Sequence, residues 1–448
     1  MTDKKAVTES GGTATNSNIR SYDGMKAKIM IGLLLVAGFL LRSFAAEPSA
    51  CPKTVKLLSE GKEPVRIVCF GDSITAVHYH TGGMRAWCDM VGIGLQRLYP
   101  GAKLEMINAG ISGNTSAQGL ERIRTVLDKK PTLVVVAFGM NDLRGRGQKQ
   151  MTTEQSRSNQ EQIIKLCREA GAEVALCTVN SVYPGADGWP CERMAPYADL
   201  IHQIGEAEKA PVADVYRAFE AIRAKNPTEW MLLMSEWIHP NMNGHRIIAQ
   251  EVIRAITGQS IALDDVPAFT PGIPFTLAKL AKGQPVTVLA MEPADSLIAE
   301  ALKSLYPAAR VTVIPWLAQD RPLEQIMKSA DGIRKQMPDL VVVAVSAATA
   351  DKNEEWYVRN YSDLYNSTFS FDKRNFDCVG ILPAVFTPKL DASGLRHQEL
   401  ARAIIKAHDI DPVERKNGDE STPAQLLAKW LSRQVPATNS AGTHPGGQ

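Results

Sequence analysis

Short apolar runs rich in β-branched residues alternate with segments of helical periodicity from Val65 to about residue 257. The runs, which we expect to be strands, cover residues 65–70, 103–108, 132–138, 173–179 and 212–216. The helix-like stretches between and after them lie near residues 85–98, 116–128, 154–170, 192–208 and 243–257. Apolar strands separated by helices are typical of a parallel sheet with helices on both faces. The pattern therefore predicts a doubly wound α/β fold, in which ligands bind at the carboxyl ends of the strands.

A second region follows a proline-containing stretch at 263–275 and repeats part of the first. Residues 95–104 (LQRLYPGAKL) resemble residues 302–311 (LKSLYPAARV), and the same offset of 207 relates PTLVVVA at 131–137 to PDLVVVA at 338–344. Residues 64–68 align with 285–289 at an offset of 221. A shared offset in two separate blocks indicates a duplicated α/β domain. The predicted domains are therefore 62–260 and 276–433, the alternative being two unrelated α/β domains with similar strand composition.

The amino-terminal segment has the pattern of an export signal. Lys26 and Lys28 precede an unbroken apolar run at 29–41, which is too short to span a bilayer, and cleavage after Ala45 would leave small residues at the cleavage site. We expect a signal peptide at 25–45 and a secreted or periplasmic protein with no stable membrane span after cleavage. An uncleaved anchor, or lipid attachment at Cys51, is the alternative. The polar residues 1–24 are expected to be disordered or to precede the true start at Met25, and the tail 434–448 to be disordered.

Charge and cysteine content exclude several classes of protein. The net charge of +2 would fall to −1 once residues 1–45 were removed, so nucleic acid is not an expected partner. The seven cysteines form no CxxC pairs and are too sparse for a disulfide scaffold. Cys51, Cys88 and Cys191 could still pair after export, in a combination that the sequence leaves open.

Four short motifs follow the predicted strands of the first domain or precede its last helix. They are FGDSIT at 70–75, NAGISGNTS at 108–116, GMND at 139–142 and SEWIHPNMNGH at 235–245. A glycine beside Ser73 permits a tight strand-to-helix turn that presents the hydroxyl at the edge of the sheet, and a helix start there would also present the Ser73 N–H. Each motif alone is most often an ordinary turn or helix cap.

In this order the four motifs resemble those of the SGNH (GDSL-like) hydrolases, over residues 66 to 257. The resemblance implies a three-layer α/β sandwich like that of flavodoxin and a carboxylic ester hydrolase. It also implies that Ser73 is the nucleophile, that His239 is its general base, and that the Ser73 N–H, the Gly113 N–H and the Asn141 side chain form the oxyanion hole.

One position departs from the family pattern. The family usually carries Asp three residues before the histidine, where this chain has Glu236. A glutamate can also accept the imidazole N–H, so Glu236 is our predicted third member of the triad. The alternatives are that a backbone carbonyl or Asp214 orients His239, or that Ser73 and His239 act as a dyad.

The predicted second copy lacks these residues. At the offsets above, Ser73, Gly113 and Asn141 correspond to Ala294, Asp320 and Ala348, and an ungapped match places Asp391 opposite His239. We therefore expect a degenerate, non-catalytic domain.

The sequence indicates the class of substrate less directly than it indicates the type of reaction. No HExxH motif or phosphate-binding loop is present, so we expect no metal and no cofactor. Export and two aromatic loops, VHYH at 77–80 and YPGADGW at 183–189, favour the deacetylation of an extracellular carbohydrate. A small-molecule or polysaccharide ester is the expected partner. The alternatives are a lysophospholipase, thioesterase or short-chain acyl esterase and, in another class, an inert binding or scaffold protein.

Overall fold

The computed structural model describes residues 51–144, 151–319, 321–349 and 353–435. The predicted signal peptide at 25–45, the segment 1–24 and nearly all of the tail at 434–448 lie outside the described residues.

The first half of the described chain forms a five-stranded parallel sheet of order β2-β1-β3-β4-β5. Its strands are β1 (Pro64–Gly71), β2 (Lys103–Gly110), β3 (Leu133–Ala137), β4 (Glu173–Cys177) and β5 (Val212–Ala213). Its helices are α1 (Pro52–Glu60), α2 (Trp87–Leu98), α3 (Ser116–Glu121), α4 (Ile123–Leu127), α5 (Thr153–Glu169), α6 (Met194–Glu208), α7 (Val215–Lys225), α8 (Pro227–Met231) and α9 (Met242–Thr257). The doubly wound α/β fold is confirmed.

The second half forms a four-stranded parallel sheet of order β7-β6-β8-β9. Its strands are β6 (Val286–Met291), β7 (Val311–Trp316), β8 (Leu340–Val343) and β9 (Asp377–Gly380). Its helices are α10 (Pro274–Ala281), α11 (Asp295–Leu305), α12 (Leu323–Ser329), α13 (Ile333–Gln336), α14 (Glu354–Ser367), α15 (Ala392–Ala407) and α16 (Pro423–Gln434).

The two sheets share strand order and register. Val65 pairs with Leu104 in the first sheet. The sequence offset of 221 relates Val65 to Val286, and the offset of 207 relates Leu104 to Val311. Val286 and Val311 also pair, in the second sheet. The pairing of Ile67 with Leu133 becomes Val288 with Leu340 in the same way. Offsets found in the sequence thus preserve the register of two separate strand pairs, which favours the predicted duplication.

The positions at which α9 and α15 begin correct one detail of the alignment between the two halves of the chain. Asn241 caps α9 and Asp391 caps α15, and both helices are 16 residues long. Alignment by these caps moves the match by two residues, so that Lys389 rather than Asp391 lies opposite His239.

Two predicted elements of the first domain also differ from the structure. The fifth strand is only two residues long, because the Asp214 side chain accepts the Arg217 N–H and starts α7 where the sequence pattern continued a strand. The helix expected over 116–128 is two short helices that meet at Arg122.

Both halves contribute to one hydrophobic core. A single cluster of buried side chains runs from Trp87 and Leu95 on α2 to Tyr361 and Tyr365 on α14. The halves are also joined by an ion pair between the Arg85 guanidinium and the Asp409 carboxylate, at 2.5 and 2.8 Å. The C-terminal half is therefore packed directly against helices and loops of the first half.

All seven cysteines lie in the described part of the chain and are free, and six of them are buried. The pairing considered for Cys51, Cys88 and Cys191 does not occur in this structure. Within the same described ranges, no helix has both the length and the apolar character needed to cross a membrane.

Candidate active site

Ser73 lies directly beyond the carboxyl end of β1. The following residues form a single turn, in which the amides of Thr75 and Ala76 donate to the Asp72 carbonyl at 3.1 and 3.0 Å. The expectation of a helix starting at Ser73 is therefore wrong: no helix begins until a short 3₁₀ turn at Tyr79–Thr81. Gly71 is required by close packing, since a Cβ there would lie 2.6 Å from the Ala137 carbonyl oxygen.

A continuous hydrogen-bonded chain links Ser73, His239 and Glu236. The Ser73 Oγ lies 2.8 Å from His239 Nε2, and the His239 Nδ1 is in short contact with a Glu236 carboxylate oxygen. A carboxylate can only accept, so Nδ1 carries the proton and Nε2 is left with a lone pair that faces the serine hydroxyl. This is the tautomer that a general base needs.

The loop that carries Glu236 and His239 is held by hydrogen bonds within the loop and by one from outside it. The Glu236 carboxylate also accepts the His239 backbone N–H at 2.9 Å, and the Ser235 N–H donates to the His239 carbonyl at 2.9 Å. From outside the loop, the Asn180 side chain donates to the Ile238 carbonyl at 3.0 Å. Glu236 and His239 therefore keep a fixed separation.

Burial and neighbouring charge have opposite effects on the pKa of Glu236. Burial alone would raise its pKa, but the neighbouring His239 and the backbone N–H groups of Ile238 and His239 hold the pKa below its ordinary value. The carboxylate is thus ionised at neutral pH, as a partner for a protonated imidazole must be.

Gly113 and Asn141 lie on the two loops that follow β2 and β3. Gly113 has a φ of +76°, which explains glycine at this position. Asn141 Nδ2 donates to the Asn114 carbonyl at 3.1 Å and to an Asp72 carboxylate oxygen at 3.3 Å. The Asn141 amide thus connects the Gly113 loop with the residue that precedes Ser73.

Asp72 is buried beneath the serine turn. Burial raises its pKa to about 7, although the Ile74 N–H, which it accepts at 3.0 Å, and the nearby His239 both act to lower the pKa. The carboxyl group therefore has a pKa near neutral pH and lies next to Ser73 in the chain.

A second histidine, which the sequence did not single out for a catalytic contact, lies against His239. The His80 and His239 rings are stacked, with centroids 4.7 Å apart and planes 13° apart. Burial lowers the pKa of His80 well below its ordinary value, and the charges of His239 and His245 act in the same direction. His80 is therefore neutral and offers the His239 ring a flat surface without a competing charge.

The structure places Asp214 away from this site. Its carboxylate lies 2.8 Å from His202 Nε2 and 2.7 Å from the Arg217 guanidinium. Of the alternatives considered for orienting His239, the one that contacts Nδ1 is Glu236.

Most aromatic side chains of the two loops at 77–80 and 183–189 are buried. His78, His80 and Tyr183 are buried, and Trp189 donates its ring N–H to the Met140 carbonyl at 3.0 Å. Exposed aromatic surface near the site comes instead from Trp237, which is 42% exposed and lies between Glu236 and His239 in sequence.

Comparison with known proteins identifies the family of this chain. The model of the GDSL-like lipase/acylhydrolase family matches residues 69–247. The thioesterase 1/protease 1/lysophospholipase L1 of Escherichia coli is 31% identical over 190 residues, which are 41% of this chain and 79% of the relative. This chain belongs to the GDSL-like lipase/acylhydrolase family.

Two further relatives of this chain are esterases by name. An arylesterase of Vibrio mimicus is 28% identical over 197 residues, which cover 42% of this chain and 88% of the relative. An acetylxylan esterase of Geobacillus stearothermophilus is 27% identical over 176 residues, 37% of this chain and 78% of the relative. The protein is a carboxylic ester hydrolase of the GDSL-like family, and the family match ends before the second sheet.

Proposed function

We propose that this GDSL-like esterase acts through a Ser73 acyl-enzyme and removes acetyl groups from an extracellular carbohydrate. The observation that carries the mechanism is the chain of contacts from the Ser73 hydroxyl through His239 to the Glu236 carboxylate. It joins a nucleophile, a base with a free lone pair and a group that fixes the base's tautomer.

In the first half of the reaction, Ser73 Oγ attacks the ester carbonyl while His239 Nε2 takes its proton. The imidazolium that forms is stabilised by the ionised Glu236, and it then gives the proton to the leaving alcohol. Water, activated by the same nitrogen, attacks the acyl-enzyme, releases the acid and restores Ser73.

The oxyanion that forms at each attack needs hydrogen-bond donors. We assign this role to the Ser73 N–H, the Gly113 N–H and the Asn141 side chain. Among the described residues, neither of the two backbone N–H groups donates to a protein acceptor. To donate to the oxyanion, the Asn141 amide would have to give up one of its two present hydrogen bonds. The bond to Asp72, at 3.3 Å, is the longer and weaker of the two.

Replacing Asn141 with Ala is expected to lower kcat by about 10²-fold to 10³-fold, because one oxyanion donor is lost. KM should change little, since the charge develops only in the transition state. The kinetics of p-nitrophenyl acetate hydrolysis measure both constants.

The matched control for Asn141 is Asn159→Ala on α5, whose amide donates to the Ser116 hydroxyl at 3.1 Å. This change should leave kcat within about two-fold of the parent. An Asn141→Ala enzyme with unchanged kcat would remove Asn141 from the oxyanion hole.

Three observations support a carbohydrate substrate. The segment 25–45 has the pattern of a signal peptide, and we propose that the protein is exported. One of its relatives is named acetylxylan esterase. The exposed rings of Trp237 and Phe371 can stack on the apolar face of a sugar ring.

The relative from E. coli favours a second candidate, a thioesterase or lysophospholipase, because its name includes both activities. A panel of acetylated xylooligosaccharide, acyl-thioester and lysophospholipid separates the two. We expect the highest kcat/KM on the acetylated sugar. Turnover of lysophospholipid without turnover of the acetylated sugar would overturn the carbohydrate assignment, and no turnover of any ester would favour an inert scaffold.

We also propose that residues 276–433 are a degenerate copy of the first domain. The shared strand order and the register preserved under the sequence offsets support this duplication. Ala294, which aligns with Ser73, lies after β6 and has no nucleophilic group.

A further inference from the structure

The C-terminal half contacts the loop that carries Glu236 through one pair of buried polar side chains. The Ser235 hydroxyl donates to Asn366 Oδ1 at 2.6 Å, and Asn366 Nδ2 donates back to the Ser235 carbonyl at 2.9 Å. Both residues are buried, so neither bond can be replaced easily by water. Two opposed bonds fix the position and the orientation of the peptide group that leads into Glu236.

Asn366 is itself held in place. It lies near the end of α14 and is buried, next to the buried His408 that follows α15. Its backbone carbonyl accepts the Arg334 guanidinium at 2.6 Å. The asparagine is therefore a rigid support and not a mobile surface residue.

The residue on the other side of Glu236 is held by the same helix. The Arg359 guanidinium lies 4.1 Å from the centre of the Trp237 ring and 5.3 Å from that of Tyr183. Asp363, one turn further along α14, has its pKa raised to about 6, by burial first and then by the charge of Glu236. Helix α14 thus packs along both neighbours of Glu236 and close to its carboxylate.

We propose that Asn366 is a positioning residue for the reaction: through Ser235 it holds Glu236 against His239, so that the degenerate half completes the active site of the first. The inference rests on the proposed role of Glu236. Without Asn366, the Ser235 hydroxyl and carbonyl lose their buried partners, and the segment that leads into Glu236 loses the two bonds that fix its position.

A double-mutant cycle of Asn366→Ala and Glu236→Ala tests this role, with the full chain and p-nitrophenyl acetate as substrate. In the parent enzyme, Asn366→Ala should lower kcat on the order of 10-fold, the size expected for loss of a group that orients a catalytic residue, with KM within about two-fold. In the Glu236→Ala enzyme the same change should have no further effect, because there is no carboxylate left to position. Equal losses in both backgrounds, or no loss in the parent, would overturn the proposal.

Two more variants serve as a control for α14 and as a replacement if Asn366→Ala does not fold. Asn360→Ala is the matched control, since Asn360 lies on the same helix and, among the described residues, its amide bonds only to the Trp356 carbonyl of that helix. It should leave kcat unchanged. If Asn366→Ala does not fold, Ser235→Ala removes one of the two bonds, and its smaller loss of kcat should likewise vanish in the Glu236→Ala background.

The cycle separates this inference from the proposed function. A large loss with Glu236→Ala alone and additive effects in the cycle would overturn only the role of Asn366. An unchanged kcat in Glu236→Ala would overturn both the proposed triad and the role of Asn366.

Discussion

Ser73→Ala is expected to lower kcat for ester hydrolysis by about 10⁴-fold or more, because the acyl-enzyme can no longer form. The site should otherwise be intact. Ser73 Oγ contacts His239 Nε2, and the turn around Ser73 is held by backbone bonds to the Asp72 carbonyl. The thermal unfolding midpoint should therefore stay within a few degrees of the parent. Steady-state hydrolysis of p-nitrophenyl acetate and a thermal melt of both proteins give the two quantities.

The control for Ser73 is Ser59→Ala on the exposed face of α1, where the hydroxyl donates only to the Val55 carbonyl at 2.8 Å. This protein should keep the full kcat. Hydrolysis that survives in Ser73→Ala at more than about a hundredth of the parent rate would show that another group supplies the nucleophile.

Glu236→Gln is expected to lower kcat by about 10³-fold to 10⁴-fold. The amide is close in size to the carboxylate but carries no charge to stabilise the imidazolium, and its NH₂ group favours the wrong tautomer of His239. Glu236→Asp should recover part of the loss, since it restores the charge on a side chain that is shorter by one methylene. The pre-steady-state rate of acylation isolates this step from product release.

Asp214→Asn is the matched comparison for Glu236, because Asp214 is the other carboxylate that the sequence offers for orienting His239. Its partners are His202 and Arg217, so kcat should stay within about two-fold of the parent. A loss with Asp214→Asn that exceeds the loss with Glu236→Gln would reverse the assignment.

The local parts of the site could be predicted from the sequence. Ser73, Gly113 and Asn141 follow successive strands that lie side by side, so the topology alone brings their loops to one edge of the sheet. His239 and Glu236 could be named because their motif resembles the histidine motif of the SGNH hydrolases, which usually has Asp at the position of Glu236.

The contacts between distant segments could not be predicted. Asn366 and Ser235 are 131 residues apart, and nothing in the local pattern of α14 marks one of its polar residues as buried. The stacking of His80 on His239 depends on a loop that the C-terminal half holds, with Arg374 donating to the Gly82 carbonyl at 2.7 Å. Tertiary contacts, and not the local secondary-structure propensity of the sequence, determine these contacts of Asn366 and His80.

The most direct test of the central claim is intact-protein and peptide mass spectrometry after treatment with a fluorophosphonate, which traps activated serines covalently. We predict one adduct per chain, located on the peptide that contains Ser73, absent from Ser73→Ala and formed much more slowly by His239→Ala. An unlabelled parent protein, or an adduct on any other residue, would contradict the account.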